Sequence, residues 1–351
     1  MENLIVTENN SKKRFFSLTG IIATLLIISF SAFTAFFGIA KSNGEYVFLS
    51  ILNTFSSLGI PLVIMLFGAN LLDEEKEFTI KSLWKNQILK AVLLFIFWSG
   101  VYTLAYKIFK TLIFGGDITF KSIIIYFVNG TSHLRHFYLS LSLLLLTPLL
   151  RLLTKKENST TCLYAIIIFL ILGATKPLLI HLSGAVREIY YLTSFLSWMD
   201  FSSLSGAIAL YLLGWYVLNV NITKNFKTAI YVVGGISFIG VILLTTLLKQ
   251  GRIYSHNYEN LLVILSSLAL FTLLNSLIKE KESKVLNKLS ALSFGAFIVH
   301  LAVFSVFNYL LRALDILYLN VILVFVITTI ISYGISFVIS FIPFINKSTK
   351  L

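Results

Sequence analysis

The strongest constraint on this chain is the recurrence of apolar runs, each long enough to cross a bilayer, separated by short polar segments. Ten can be marked, at about 15–40, 46–72, 88–106, 137–153, 161–180, 201–219, 228–248, 259–279, 290–312 and 316–343. One aqueous core cannot bury that much apolar surface. Charged residues make up only 12 % of the chain, against about 25 % in a soluble domain. Hydrophobic residues reach 57 % and mean hydropathy is +0.90. In lipid, every backbone N–H and C=O must be satisfied within the protein, and runs of this length do so as helices. The expected fold class is therefore all-α, a polytopic integral membrane helical bundle of about ten transmembrane helices. The expected division is a tail over 1–14, a membrane domain over 15–345 and a second tail over 346–351.

The opening stretch "MENLIVTENNSKKRFF" places a basic cluster before a long apolar run, without a small-residue cleavage site. It reads as a retained first helix rather than a signal peptide. The two longest intervals, about 107–136 and 181–200, are too short for a soluble domain. "SIIIYFVNG" at 122–130 is a candidate interfacial helix. Gly and Ser scattered through the runs suit close helix packing in lipid.

Net charge is +13, yet a nucleic-acid partner is excluded, because Lys and Arg sit in short loops between apolar runs. With the N-terminus in the cytoplasm, 18 of the 28 basic residues fall on the cytoplasmic side. That bias predicts both termini inside, in agreement with an even number of spans. The single cysteine, Cys162, rules out an intrachain disulfide.

Several chemistries lack their residues. No Gly-rich phosphate loop precedes a basic helix, and no His/Cys set has zinc spacing, so no metal site is expected. No Asp or Glu lies mid-run, where a proton- or sodium-coupled transporter commonly has one. In "LNTFSSLGIP", Asn53, Ser56 and Ser57 fit either a polar path or a helix interface, and interfaces are the commoner use of small polar residues. Arg187 and Glu188 read as a surface pair.

The histidines stand out. His133 and His136 are three apart, so on a helix they share a face, with Arg135 between them. Imidazole is suited to acid–base work near neutral pH, and Arg135 to holding a phosphate or carboxylate. The same residues also fit plain anchoring at a membrane surface. His300 lies in "LSFGAFIVHLAVFSVFNYLL", which holds no Asp, Glu, Lys or Arg. An ionisable group there is costly and is usually turned into the bundle for function, the alternative being a neutral imidazole bonded to a neighbouring helix.

Several stretches carry a family resemblance. "SSLGIPLVIMLFGANLL" (56–72) followed by "KSLWKNQILKAVLLFIFWSGVY" (81–102) resembles the second and third helices of the membrane acyltransferase-3 family. "SHLRHFYLSLSLLLLTPLLR" (132–151), "IALYLLGWYVLN" (208–219) and "LSFGAFIVHLAVF" (292–304) are similar to later helices of that family, in the same order. The resemblance covers roughly 15–345 and is nearest the short single-domain type that includes enterobacterial common antigen O-acetyltransferase. It implies a multi-pass protein of the plasma or inner membrane, in contact with membrane lipid. It also implies transfer of an acyl group, usually acetyl, to a hydroxyl of a cell-surface polysaccharide or lipid-linked sugar. Acetyl-CoA or another acyl-CoA would be a donor substrate rather than a tightly bound cofactor. His133 and His300 match the family's fourth- and ninth-helix histidines and become the catalytic candidates. Arg135, His136 and Tyr138 are the substrate-binding candidates, although Arg135 stands where the family often has Trp.

Two departures accompany the match. The family's first helix typically carries an Arg and, after ten residues, a catalytic His; the corresponding places here hold Thr19 and Phe30, and no histidine precedes His133. Phe67 replaces the serine before Gly68. An O-acyltransferase is the leading expectation. A non-catalytic member in glycan assembly and a transporter of a lipid-linked sugar are the alternatives.

Overall fold

The first helix, α1 (Glu2–Thr34), begins well before its apolar run. No Gly or Pro occurs before Gly20, so nothing in the polar opening breaks it, and most of the expected tail is helical. This computed structural model describes residues 2–114, 119–129, 131, 133–183, 189, 191, 204–248, 259–278, 283–311 and 316–341. The expected C-terminal tail and the Arg187–Glu188 pair lie outside them.

The next span is a broken helix. Helix α2 (Asn43–Ser57) starts at a capping box, in which the Glu45 N–H donates to Ser42 and the Ser42 N–H donates to the Glu45 carboxylate. It stops at Leu58, and α3 (Gly59–Leu71) carries Pro61 in its first turn, where a missing N–H is tolerated. A short α4 (Ile80–Leu83) passes through a π-helical turn, Trp84–Ile88, into α5 (Leu89–Phe114). Helices α6 (Phe120–Asn129) and α7 (Arg135–Leu150) follow. A second π turn, Leu170–Ala174, joins α8 (Ser159–Phe169) to α9 (Thr175–Ser183). The chain continues through α10 (Leu204–Asn219), α11 (Lys224–Leu247), α12 (Leu261–Leu277), α13 (Lys284–Leu311) and α14 (Leu317–Ser340). No strand is present among the described residues.

The protein is thus an all-α polytopic membrane bundle. Among the described residues, seven helical stretches are long and apolar enough to cross a membrane: Ser11–Ile39, Asn43–Leu71, Ile80–Ile108, Lys156–Ile180, Lys224–Leu247, Lys284–Leu310 and Leu317–Ser340. Three more of the ten expected runs coincide with shorter apolar helices: Arg135–Leu150, Leu204–Asn219 and Leu261–Leu277. A fourth short helix, α6, covers the stretch read as interfacial. It has no buried residue and lies against α5, where Tyr126 stacks on Tyr106 with ring centres 4.2 Å apart.

The shortness of α10 follows from its position. Every residue from Ser205 to Trp215 is buried, because α3, α7, α8 and α12 pack around it. With 16 residues it is about 24 Å long, less than the roughly 30 Å hydrocarbon core. A helix enclosed by others is not required to match that thickness. Its crossing with α3 is closed by two glycines in reciprocal positions. A Cβ on Gly68 would stand 1.9 Å from the Tyr211 carbonyl oxygen, and one on Gly214 would stand 1.9 Å from the Met65 carbonyl oxygen. Neither backbone can tolerate a methyl group, so the helices meet at the distance glycine permits.

Small polar residues tie α1 to α2. Thr34 donates to the Asn53 side-chain oxygen at 2.9 Å, and the hydroxyls of Ser29 and Ser56 are 2.7 Å apart, all four residues being buried. Asn53 and Ser56 are therefore interface residues, and Ser57 is buried beside them.

One end of the bundle gathers the segments expected in the cytoplasm. Lys12 pairs at 2.6 Å with Asp73, which is 2 % exposed. Arg151 donates to the carbonyls of Leu71 and Lys76 and lies 4.6 Å over the Phe78 ring. Lys156 pairs with Glu74 and Glu75. The tail, the α3–α4 connection and the α7–α8 connection thus share one end, as the distribution of basic residues predicts.

Candidate functional site

Away from that basic end, α13 packs along α1 and α14 and carries His300, 1 % exposed, into the bundle. Its Nδ1 faces the carbonyl of Phe297, one turn earlier on the same helix. A carbonyl can only accept, so in the neutral imidazole Nδ1 carries the proton. Nε2 is then left with its lone pair, and 3.2 Å from it lies the hydroxyl of Ser31 on α1. Ser31 donates and His300 accepts.

His133 reaches the same place from the turn that opens α7. The Leu134 N–H donates to the Thr131 carbonyl, and the His136 N–H donates to the His133 carbonyl. His133 is 4 % exposed and has the opposite tautomer. Nε2 donates to the Ile298 carbonyl at 2.9 Å, and Nδ1 accepts from the Thr131 hydroxyl at 3.1 Å. Tyr102 on α5 donates to the same Ile298 carbonyl at 2.6 Å. The His133 ring meets His300 edge to face at 5.4 Å and lies 5.1 Å from Tyr102 and 5.8 Å from Phe297. On the α5 face that carries Tyr102, Ser99 and Thr103 are buried with hydroxyls that have no protein partner.

The other candidates are placed differently. His136 is half-buried and within electrostatic reach of both His133 and His300. Arg135 and Tyr138 are exposed. Tyr138 donates its hydroxyl to the Val128 carbonyl and sets its ring 4.8 Å from Phe95, which ties α6 to α7. Of the first-helix places matching the family's Arg and His, Thr19 is fully buried and Phe30 is partly exposed. The next residue of α1, Ser31, touches a histidine. Sequence reasoning did not single out Ser31, Tyr102 or the Ile298 carbonyl. A serine in an apolar helix is ordinary, and no spacing rule connects it to a histidine 269 positions away.

Among the described residues, no group of three or more His, Cys, Asp and Glu is arranged to hold a metal ion. Cys162 is a buried free thiol on α8, remote in sequence from these groups. Four segments of a membrane bundle, the α1 helix, the α5 helix, the turn before α7 and the α13 helix, thus bring two buried imidazoles and several hydroxyls together. Groups of these types are the ones that proton transfer at oxygen requires. Residues 20–341 match the family model of the acyltransferase domain known as acyltransferase-3. The chain belongs to this family of membrane acyltransferases. Comparison with curated proteins and with solved structures gave no match.

Proposed function

We propose that the protein is an O-acyltransferase of the cell or inner membrane. It moves an acyl group, acetyl in the leading case, from acyl-CoA to a hydroxyl of a cell-surface polysaccharide or lipid-linked sugar. The observation that carries the reading is the lone pair of His300 Nε2, held by the Phe297 carbonyl so that it faces a hydroxyl. Acyl transfer to oxygen needs such a base, to take the hydroxyl proton as the oxygen attacks and return it to the leaving group. His133, in contact with His300 and fixed in the opposite tautomer, lines the place where the acceptor hydroxyl enters. Half-buried His136 and exposed Arg135 and Tyr138 lie where α7 begins and serve acceptor binding. The purified chain in detergent, given acetyl-CoA and a surface glycan fraction, should form O-acetyl esters. Surface glycan from a deletion strain should lack the corresponding O-acetyl signals in NMR spectra; unchanged spectra would refute the reading.

A second reading rests on one observation, the absence of any histidine before His133. In it the protein keeps the family fold as a non-catalytic binding partner in glycan assembly. Acetyl-CoA-dependent ester formation separates the two, since only the first predicts it.

A further inference from the structure

Ser31, His300 and the Phe297 carbonyl form a connected set: a hydroxyl, a base that accepts from it, and a third group that orients the base. This is the arrangement by which an otherwise weak hydroxyl nucleophile is activated. The order of access matters too. His300 is 1 % exposed, whereas Ser31 is partly exposed, so Ser31 is the more accessible of the two. Both imidazole nitrogens of His300 are engaged, and the proton that Nε2 faces is the one on Ser31. The neighbouring dyad of Thr131 and His133 has similar bonding, but its hydroxyl is secondary and only two residues from its imidazole, as in a local turn. Ser31 is a primary alcohol brought to His300 by the packing of α1 on α13.

We infer that Ser31 is a nucleophile that carries the acyl group covalently between donor and acceptor, an inference that rests on the acyltransferase reading above. In the first step, Ser31 Oγ attacks the thioester carbonyl of acyl-CoA while His300 Nε2 takes the hydroxyl proton. The new C–O bond forms, the C–S bond breaks, and the thiolate leaves with the proton from His300. In the second step, an acceptor sugar hydroxyl attacks the acyl-serine carbonyl and His300 takes that proton. The acyl group moves to the sugar oxygen, the Ser31 ester bond breaks, and Ser31 recovers its proton from His300. No redox partner or metal is needed. Ser31 also lies past the middle of Ser11–Ile39, counted from the basic end. A covalent intermediate there lets a donor arriving from the basic end depart before an acceptor arrives from the other. Apolar surroundings would slow hydrolysis of the ester in the interval.

The experiment uses the full chain in detergent with radiolabelled acetyl-CoA, both without acceptor and with a surface glycan fraction. Without acceptor, the wild type should take up label on the peptide containing Ser31, and adding glycan should chase it off. Ser31→Ala should lose both labelling and glycan acetylation, by about 10²-fold or more. Ser31→Cys should label as a thioester cleaved by neutral hydroxylamine, which also shows that a variant at this position folds. His300→Ala should label at least about 10²-fold more slowly. Wild-type glycan acetylation that persists in Ser31→Ala, or proceeds with label on another residue, would overturn the Ser31 inference and leave the acyltransferase reading intact. A wild type that neither labels nor acetylates glycan would overturn both.

Discussion

The His133 and His300 rings meet edge to face at 5.4 Å, yet their protons are fixed on opposite nitrogens by backbone carbonyls of the same helix. His133 donates from Nε2 to Ile298 and His300 donates from Nδ1 to Phe297, one residue apart on α13. One stretch of backbone therefore sets both tautomers. Each ring turns its remaining lone pair toward a different hydroxyl, Thr131 for His133 and Ser31 for His300.

The first prediction tests that pair directly. His300→Ala and His133→Ala should each lower acyl transfer by about 10²-fold or more, measured as acetyl-CoA-dependent ester formation at matched expression. Tyr231→Phe, which removes a hydroxyl contact with Ser276 between α11 and α12, should retain most of the rate. Full activity in both histidine variants would return them to structural or anchoring roles.

Helix crossing supplies the second. Gly214→Ala would drive a methyl into the Met65 carbonyl and should destabilise the protein by about 1–3 kcal/mol or more, seen as a lower unfolding temperature in detergent. Gly68→Ala should behave alike, against Tyr211. Gly235→Ala, where nothing lies within 4 Å, should leave stability unchanged or slightly raised. Equal stability of all three variants would mean that α3 and α10 are not in close contact.

Charge at the basic end makes a third. Asp73 is buried against Lys12, with Lys76 and Arg151 in electrostatic reach. Asp73→Asn leaves three cations without their shared counter-charge, so it should cost more stability than Lys12→Met. The double variant should reveal a coupling of about 1–3 kcal/mol. A coupling of zero in thermal denaturation would show that the pair is not formed.

Orientation is the fourth. A cysteine at Asn43, at the start of α2, should react with an impermeant thiol reagent on intact cells. One at Lys155, beside the gathered basic segments, should react only after the membrane is opened. The reverse pattern would invert the bundle and place the histidines toward the cytoplasm.

Much of this architecture was legible because lipid writes its requirement into the chain. A helix facing hydrocarbon needs a long uninterrupted apolar run, and each of the seven longest helices has one. His300 was legible for the same reason, as an ionisable group amid nineteen uncharged neighbours over 292–311. His133 emerged through its family resemblance more than through its spacing, which fits surface anchoring equally well. The rest depends on pairs distant in sequence. Ser31 is one hydroxyl among many until α13 is laid beside α1. The Ile298 carbonyl is backbone and leaves no mark in the sequence. The reciprocal fit of Gly68 and Gly214 shows only when α3 and α10 cross.

The enclosure of α10 has a mechanical consequence. When a bilayer thins or thickens, lipid-facing helices tilt or shift to keep their apolar lengths covered. A short helix sheathed by protein on its sides, and pinned to α3 by two glycines, feels little of that strain. It can act as a fixed keel while the peripheral helices, including exposed α11 and α14, lean around it. Reconstitution into bilayers of different acyl-chain length should change its lipid-facing tilt more than the α3–α10 distance.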